Sequence, residues 1–411
     1  MRHESGDQRL LSLLRPHDFR TALSSLMTSS EIFSRLDEQR ANPGEMIEQM
    51  VAHFREKRQP MELFEALKMR VRHRLGLPVL SSESEKSNPE EVERQLETGL
   101  LDACREAGVM LIEDGKVAEG WMYLRPTGDL DLARKLMSDI PVTDENYDAM
   151  IQVLLHEGVD IARGYQAVID HQGTCNSITL FEQALQQRSK SDRRAAAACL
   201  LDHLYHELVV LVRGDIARRE APADESETLF EMIEKRKWIL NEGGYHLDTT
   251  HLASTVRIAA VLTEPSQLRK AWELAQYGRR LDHQFQYPGE EPFVDFYPAY
   301  SAYYQVLLGE NVEAGLKVFE RKAKSVDPTV HGTAAIETYV ELLDRLGRQA
   351  EAIEAAVSLV PDAVPSQRIV PLLLEIAGRS DDKSVYTPIL EYCRKHNDVI
   401  GYAAVSHVAA S

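Results

Sequence analysis

The chain of 411 residues and 46.4 kDa is 44% apolar and 27% charged, a globular composition that excludes a disordered or fibrous polypeptide and leaves room for two or three domains. Its formal charge of −18, from 47 basic and 65 acidic side chains, repels phosphate backbones and anionic lipid, which argues against nucleic-acid or membrane-surface binding. The longest uncharged stretch, Phe296 to Gly309, has 14 residues, too few for a membrane span.

Met1 to Asp7 lacks the apolar run of a secretory signal. The four cysteines, Cys104, Cys175, Cys199 and Cys393, form no Cys-x-x-Cys pair; that spacing speaks against a zinc ribbon or a disulfide framework, and a reducing cytoplasm is the expected location. Residues 1–80 carry 13 basic and 11 acidic side chains, so the remaining 34 and 54 give residues 81–411 a net charge of −20.

In chain order, Leu63, Leu67, Val71 and Leu75 recur at helical spacing behind Pro60, which predicts an amphipathic helix over 60–75. Its basic residues, like Arg55 to Arg58, are read as a solvated face rather than an anion site. A polar, serine-rich run from Ser81 to Glu90 follows, with Pro89 and the acids after it restarting a helix near residue 90. The expected organisation is a helical N-terminal segment (1–80), a polar linker (81–92) and a main domain (93–411).

Beyond the linker, short helical segments alternate with glycine or proline every 12 to 20 residues. Helices this short hold only by burying a face on neighbours, and no run of alternating β-branched residues suggests a sheet. Three segments read Gly-x4-Ala: Gly128 to Ala133, Gly309 to Ala314 and Gly347 to Ala352, followed by Pro141, Pro328 and Pro361. Glycine supplies the left-handed turn that ends one helix, and alanine one turn into the next lets the pair approach closely. With Ala302 as the small residue seven positions before Gly309, residues 295–361 resemble the tetratricopeptide-like α-solenoids, and 117–141 do so more faintly. The resemblance implies an all-α superhelix of antiparallel helix pairs and a groove that binds a protein or peptide.

No phosphate-binding, dinucleotide, nucleophile-elbow or His-Glu-x-x-His motif occurs. Chemistry, if any, belongs to a histidine-rich middle, where seven of 14 histidines lie in 156–283. His203, His206 and Glu207 share one side of a helix over 191–213, opposite Leu201, Tyr205, Leu208 and Val212. His246 and His251 flank Asp248, the expected N-cap of the next helix. These four histidines, with Glu207 as ligand or general base, suit Zn²⁺ or Fe²⁺ in a metal-dependent enzyme; the competing reading makes them surface or helix-end histidines.

A second cluster is aromatic: eight aromatic residues fall between Phe285 and Tyr304, interleaved with Pro288, Pro292, Pro298 and acids. The prolines force a loop over about 286–297, after which Tyr297, Tyr300 and Tyr304 recur at helical spacing. They either fill the seam between repeats or wall a groove. Gly173-Thr174-Cys175-Asn176-Ser177 is expected to be a helix-start turn, capped by Asn176 or Ser177. The leading expectation is a non-enzymatic, cofactor-free scaffold whose groove, lined by Tyr205, His206, His251, Tyr297 and Tyr300, takes a basic or amphipathic peptide.

Overall fold

The structure is a computed structural model that describes residues 31–81 and 87–410. Among the described residues it is all-α, without a strand. The chain forms two compact units, Met1–Gly164 and Tyr165–Ser411.

In the first unit, α1 (Pro43–Glu56) and α2 (Pro60–Arg74) each begin with proline at the first helical position, where the missing N–H has no partner to lose. Both pack with α3 (Glu90–Glu113), and Ile47, Val51, Leu63 and Leu67 share one core with Ala103 and Met110. The residues on either side of the polar run are thus parts of one unit, and the boundary between the two units falls at 164/165; residues 82–86 lie outside the described residues. A second core joins Ile112 to Trp121 and Leu124 of α4 (Val117–Leu124), Met137 of α5 (Leu130–Met137) and Met150 of α6 (Tyr147–Ile151).

Helix α7 (Ile161–Leu180) leads into the second unit. There α8 (Lys190–Arg219), α9 (Leu229–Lys235), α10 (Thr249–Ile258), α11 (Pro265–Gly278) and α12 (Phe296–Leu307) pack among themselves. They are followed by α13 (Val312–Ser325), α14 (Ala334–Arg345), α15 (Gln349–Leu359), α16 (Ser366–Ala377), α17 (Tyr386–Lys395) and α18 (Val399–Ala410), each in contact with the next. On length and composition α8 is apolar enough to cross a membrane. Here Leu200, Leu201, Leu204, Leu208, Val212 and Ile216 are all buried and form its core-facing side.

The three Gly-x4-Ala segments behave alike, with one shift of register. Gly128, Gly309 and Gly347 all have φ near +70° (67°, 76° and 77°). Ala133 and Ala352 each occupy the fourth position of the following helix and are fully buried. After Gly309 the turn is one residue longer, because Asn311 also adopts the left-handed conformation (φ 50°) and α13 starts only at Val312. The fourth position is therefore Gly315, not the expected Ala314, which is exposed. A Cβ at Gly315 would lie 2.2 Å from Val306 Cγ2, so α12 and α13 meet at a residue without one. Pro328 opens a one-turn helix, Pro328–His331, rather than closing α13, which ends at Ser325.

Candidate functional site

The chemistry-bearing residues of the second unit gather around α8. The helix is capped by Ser189, whose Oγ accepts from Asp192 N at 3.1 Å. Its inner side is apolar apart from Asp215, so its other polar residues face outward, toward solvent or toward the segments on either side. Asp202 is held by Lys270 Nζ at 2.7 Å, and Arg213 donates to the carbonyls of Asp224, Glu225 and Glu227, fastening the loop before α9.

His203 meets α7 where that helix breaks. Gly173 has φ 77° and ψ 175°, a region open essentially to glycine alone. The break turns the chain so that Thr174 begins a new helical stretch, with Thr174 Oγ1 3.1 Å from His203 Nε2. The same nitrogen lies 3.9 Å from Glu207 Oε2. Tyr165 OH donates to Ser177 O at 2.7 Å, tying the two halves of α7 together across the break. The expected caps work differently: Ser177 Oγ donates to Gly173 O and Asn176 Nδ2 to Gln172 O, both toward carbonyls of the preceding turn. Cys175 is exposed. Because nothing lies within 4 Å of a Cβ built at Gly173, Gly173→Ala meets only the backbone penalty. It is expected to destabilise by about 1–3 kcal/mol, read as a lowered urea midpoint at unchanged slope.

His246 belongs to a different cluster. The Tyr277 hydroxyl oxygen accepts the His246 backbone N–H at 3.0 Å and lies 2.8 Å from its Nδ1. Nε2 points toward Asp215 Oδ2 at 3.6 Å, an ion-pair rather than hydrogen-bond separation. Burial lowers the His246 pKa more than the Asp215 charge raises it, and Arg218 and Arg219, both paired with Asp215, reinforce the lowering.

A third cluster surrounds Glu273 on α11, a 3% exposed carboxylate. Its Oε2 accepts from Tyr205 OH at 2.7 Å and from Phe230 N, in the first turn of α9, at 3.3 Å. Burial raises the Glu273 pKa, with those donors opposing it, and raises that of the Tyr205 phenol.

The four histidines of the metal reading thus go to separate partners. His203 meets Thr174 and His246 meets Tyr277, His206 is exposed, and His251 donates its backbone N–H to Asp248 in the first turn of α10. Among the described residues no group of three His, Cys, Asp or Glu is placed to hold a metal ion. Asp248 is the N-cap of α10 that the sequence implied, its Oδ1 accepting from Thr250 N and His251 N.

Two of the five groove residues are core residues. Tyr297 is fully buried and Tyr300 5% exposed. The turn after Pro288 brings Phe293 back to stack on Tyr300, with ring centroids 4.1 Å apart and planes 8° off parallel, and Phe296, Tyr303 and Phe319 complete the cluster. Tyr297 lies across Gly278, where a Cβ would come within 2.2 Å of its ring. Tyr304 OH donates to Val256 O. Neither Tyr297 nor Tyr300 offers a face to a groove; the prolines that break the helix return an aromatic side chain to the core. Tyr205, His206 and His251 keep partial or full exposure.

Periodicity missed Asp215, Glu273 and Tyr277. Asp215 continues the buried stripe Leu201, Leu204, Leu208 and Val212 at helical spacing, an acid where an apolar residue is due. Glu273 lies among Ala271, Ala275 and Gly278, small residues that mark a helix enclosed by neighbours on several sides; every residue from Ala271 to Gly278 is buried. Comparison with protein-family models, with curated proteins and with solved structures gives no match.

Proposed function

We propose that the second unit is a tetratricopeptide-like helical-repeat module that binds a segment of another polypeptide, with the outer side of α8 as its contact surface. The observation that carries this reading is the exposure of Val210 (52%) and Leu211 (39%) beside His206 and Glu207 on a helix whose other side is buried. Neighbouring exposed apolar side chains, edged by polar ones, are the usual composition of a contact patch. The recurring left-handed glycine and small fourth-position residue support the repeat architecture. A net charge of −18 favours a basic or amphipathic partner segment. The scattering of the histidines among Thr174, Tyr277 and Asp248 gives the metal-enzyme reading no observation of its own.

A photo-crosslinking side chain placed at Leu211 tests this. In a lysate it is expected to capture one discrete polypeptide, and the capture is lost when Val210→Glu is added. A crosslinker at exposed Val330, on the one-turn helix Pro328–His331, is the control and should not capture the same species. Equal capture from both positions, or none from Leu211, overturns the reading.

A further inference from the structure

The first unit carries a groove of about 370 Å³ on α3 that the reading above does not use. It lies at the small end of the ~300–1,000 Å³ range of binding pockets. Leu100, Leu101 and Cys104 are half-buried within it, Pro126 closes one side, and the exposed carboxylates of Glu93 and Glu97 line its edge. Glu93 uses one oxygen to accept from the backbone and side-chain nitrogens of Asn88, at 3.2 and 2.9 Å. Glu97 has no ion-pair partner among the described residues. The nearby cation Lys68 is taken by Glu65 at 2.9 Å. The groove is therefore apolar inside and negative at its edge.

We propose that its occupant is the chain's own segment Arg9-Leu10-Leu11-Ser12-Leu13-Leu14-Arg15. This run has four leucines between two arginines and no acid, the complement of an apolar groove edged by Glu93 and Glu97. It belongs to the 30 residues that precede the first described one, in the chain of the same unit. The sixteen residue-to-residue steps from Arg15 to Glu31 can extend about 50 Å. A unit of this size has a radius of gyration of about 15 Å, so most of its surface is within reach. Docking removes the leucines and the groove from water together, and sets the arginines beside Glu93, which has one oxygen engaged by Asn88, and Glu97, which has no ion-pair partner among the described residues.

Cys104 lies in the groove and reports on the occupant directly. In the full chain carrying Ser12→Cys, mild oxidation at pH 9 (burial holds the Cys104 thiol above its ordinary range) is expected to link the new thiol to Cys104 within one molecule. Peptide mapping of the monomer fraction reads the link, and Cys104→Ser abolishes it. Glu97→Arg is expected to slow trapping about threefold, and adding Arg15→Glu to restore it. A link between molecules would make the occupant a second copy and overturn the assignment. Coupling no faster to Cys104 than to exposed Cys175, or a rate indifferent to the charge exchange, also overturns it.

Discussion

Tyr300→Ala is expected to destabilise the second unit by about 3–5 kcal/mol, the range for deleting a buried aromatic side chain and leaving a cavity. Tyr300 is 5% exposed, stacks on Phe293 at 4.1 Å, and meets Phe296, Tyr303 and Tyr304 with ring centroids 4.8 to 6.5 Å apart. Removing the ring deprives the others of contacts they cannot regain, because the helix carrying Phe296, Tyr303 and Tyr304 cannot close onto the gap without losing its own packing. A groove-lining tyrosine would behave otherwise, since surface substitutions stay within about 0.5 kcal/mol. Tyr297→Phe sharpens the contrast. The Tyr297 hydroxyl is buried without a hydrogen-bond partner among the described residues, so removing it leaves the packing intact and is expected to be neutral or to stabilise by up to about 1 kcal/mol. Urea midpoints for the two variants check both statements. A Tyr300→Ala midpoint close to that of the unaltered chain would return this residue to the surface.

The helices and their stops were legible in the sequence because they depend on local chemistry. Proline at the first position of α2, glycine at positive φ before α5, α13 and α15, and Asp248 capping α10 all act within one turn. Which side of a helix is covered depends on residues far away, and there the reading from spacing was incomplete. Tyr297 and Tyr300 have the periodicity of a groove wall and of a core seam equally; the return of Phe293 decided for the core. Ala314 fits the repeat by counting from Gly309, yet a second left-handed residue, Asn311, moves Gly315 into its place. The histidines were visible as a cluster along the chain, but their partners, Thr174, Tyr277 and Asp215, come from three different helices. Nothing in the spacing of His203 and His246 distinguishes a shared ion from separate hydrogen bonds.

Glu273 is expected to make stability depend on pH in a way that one substitution removes. In the folded chain burial raises its pKa above the ordinary carboxylate value, so the folded state holds this proton more tightly than the unfolded chain does. The stabilisation is complete below the unfolded pKa of about 4.5 and is lost as pH rises through the raised value. His246 slopes the opposite way. Its folded pKa is depressed, so its contribution is present above about pH 6.5 and is lost as pH falls through the lowered value. Between these limits the two oppose each other, and a pH scan of the unaltered chain mixes them. The difference between Glu273→Gln and the unaltered chain isolates the carboxyl: it is expected to be flat in acid and to turn in favour of the amide as pH rises. The amide oxygen can still accept from Tyr205 OH or Phe230 N. Glu273→Ala differs, because it leaves both half-buried donors without this acceptor, at up to about 1–3 kcal/mol each. It is expected to lower stability by about 2–5 kcal/mol at every pH and to loosen the first turn of α9, whose amide at Phe230 it leaves unpaired. Chemical denaturation of the three proteins from pH 4 to 8, with amide exchange at Phe230, reads both effects. A Glu273→Gln difference that does not change with pH would mean that this carboxyl titrates alike in the folded and unfolded chain, and that burial on α11 does not govern its proton.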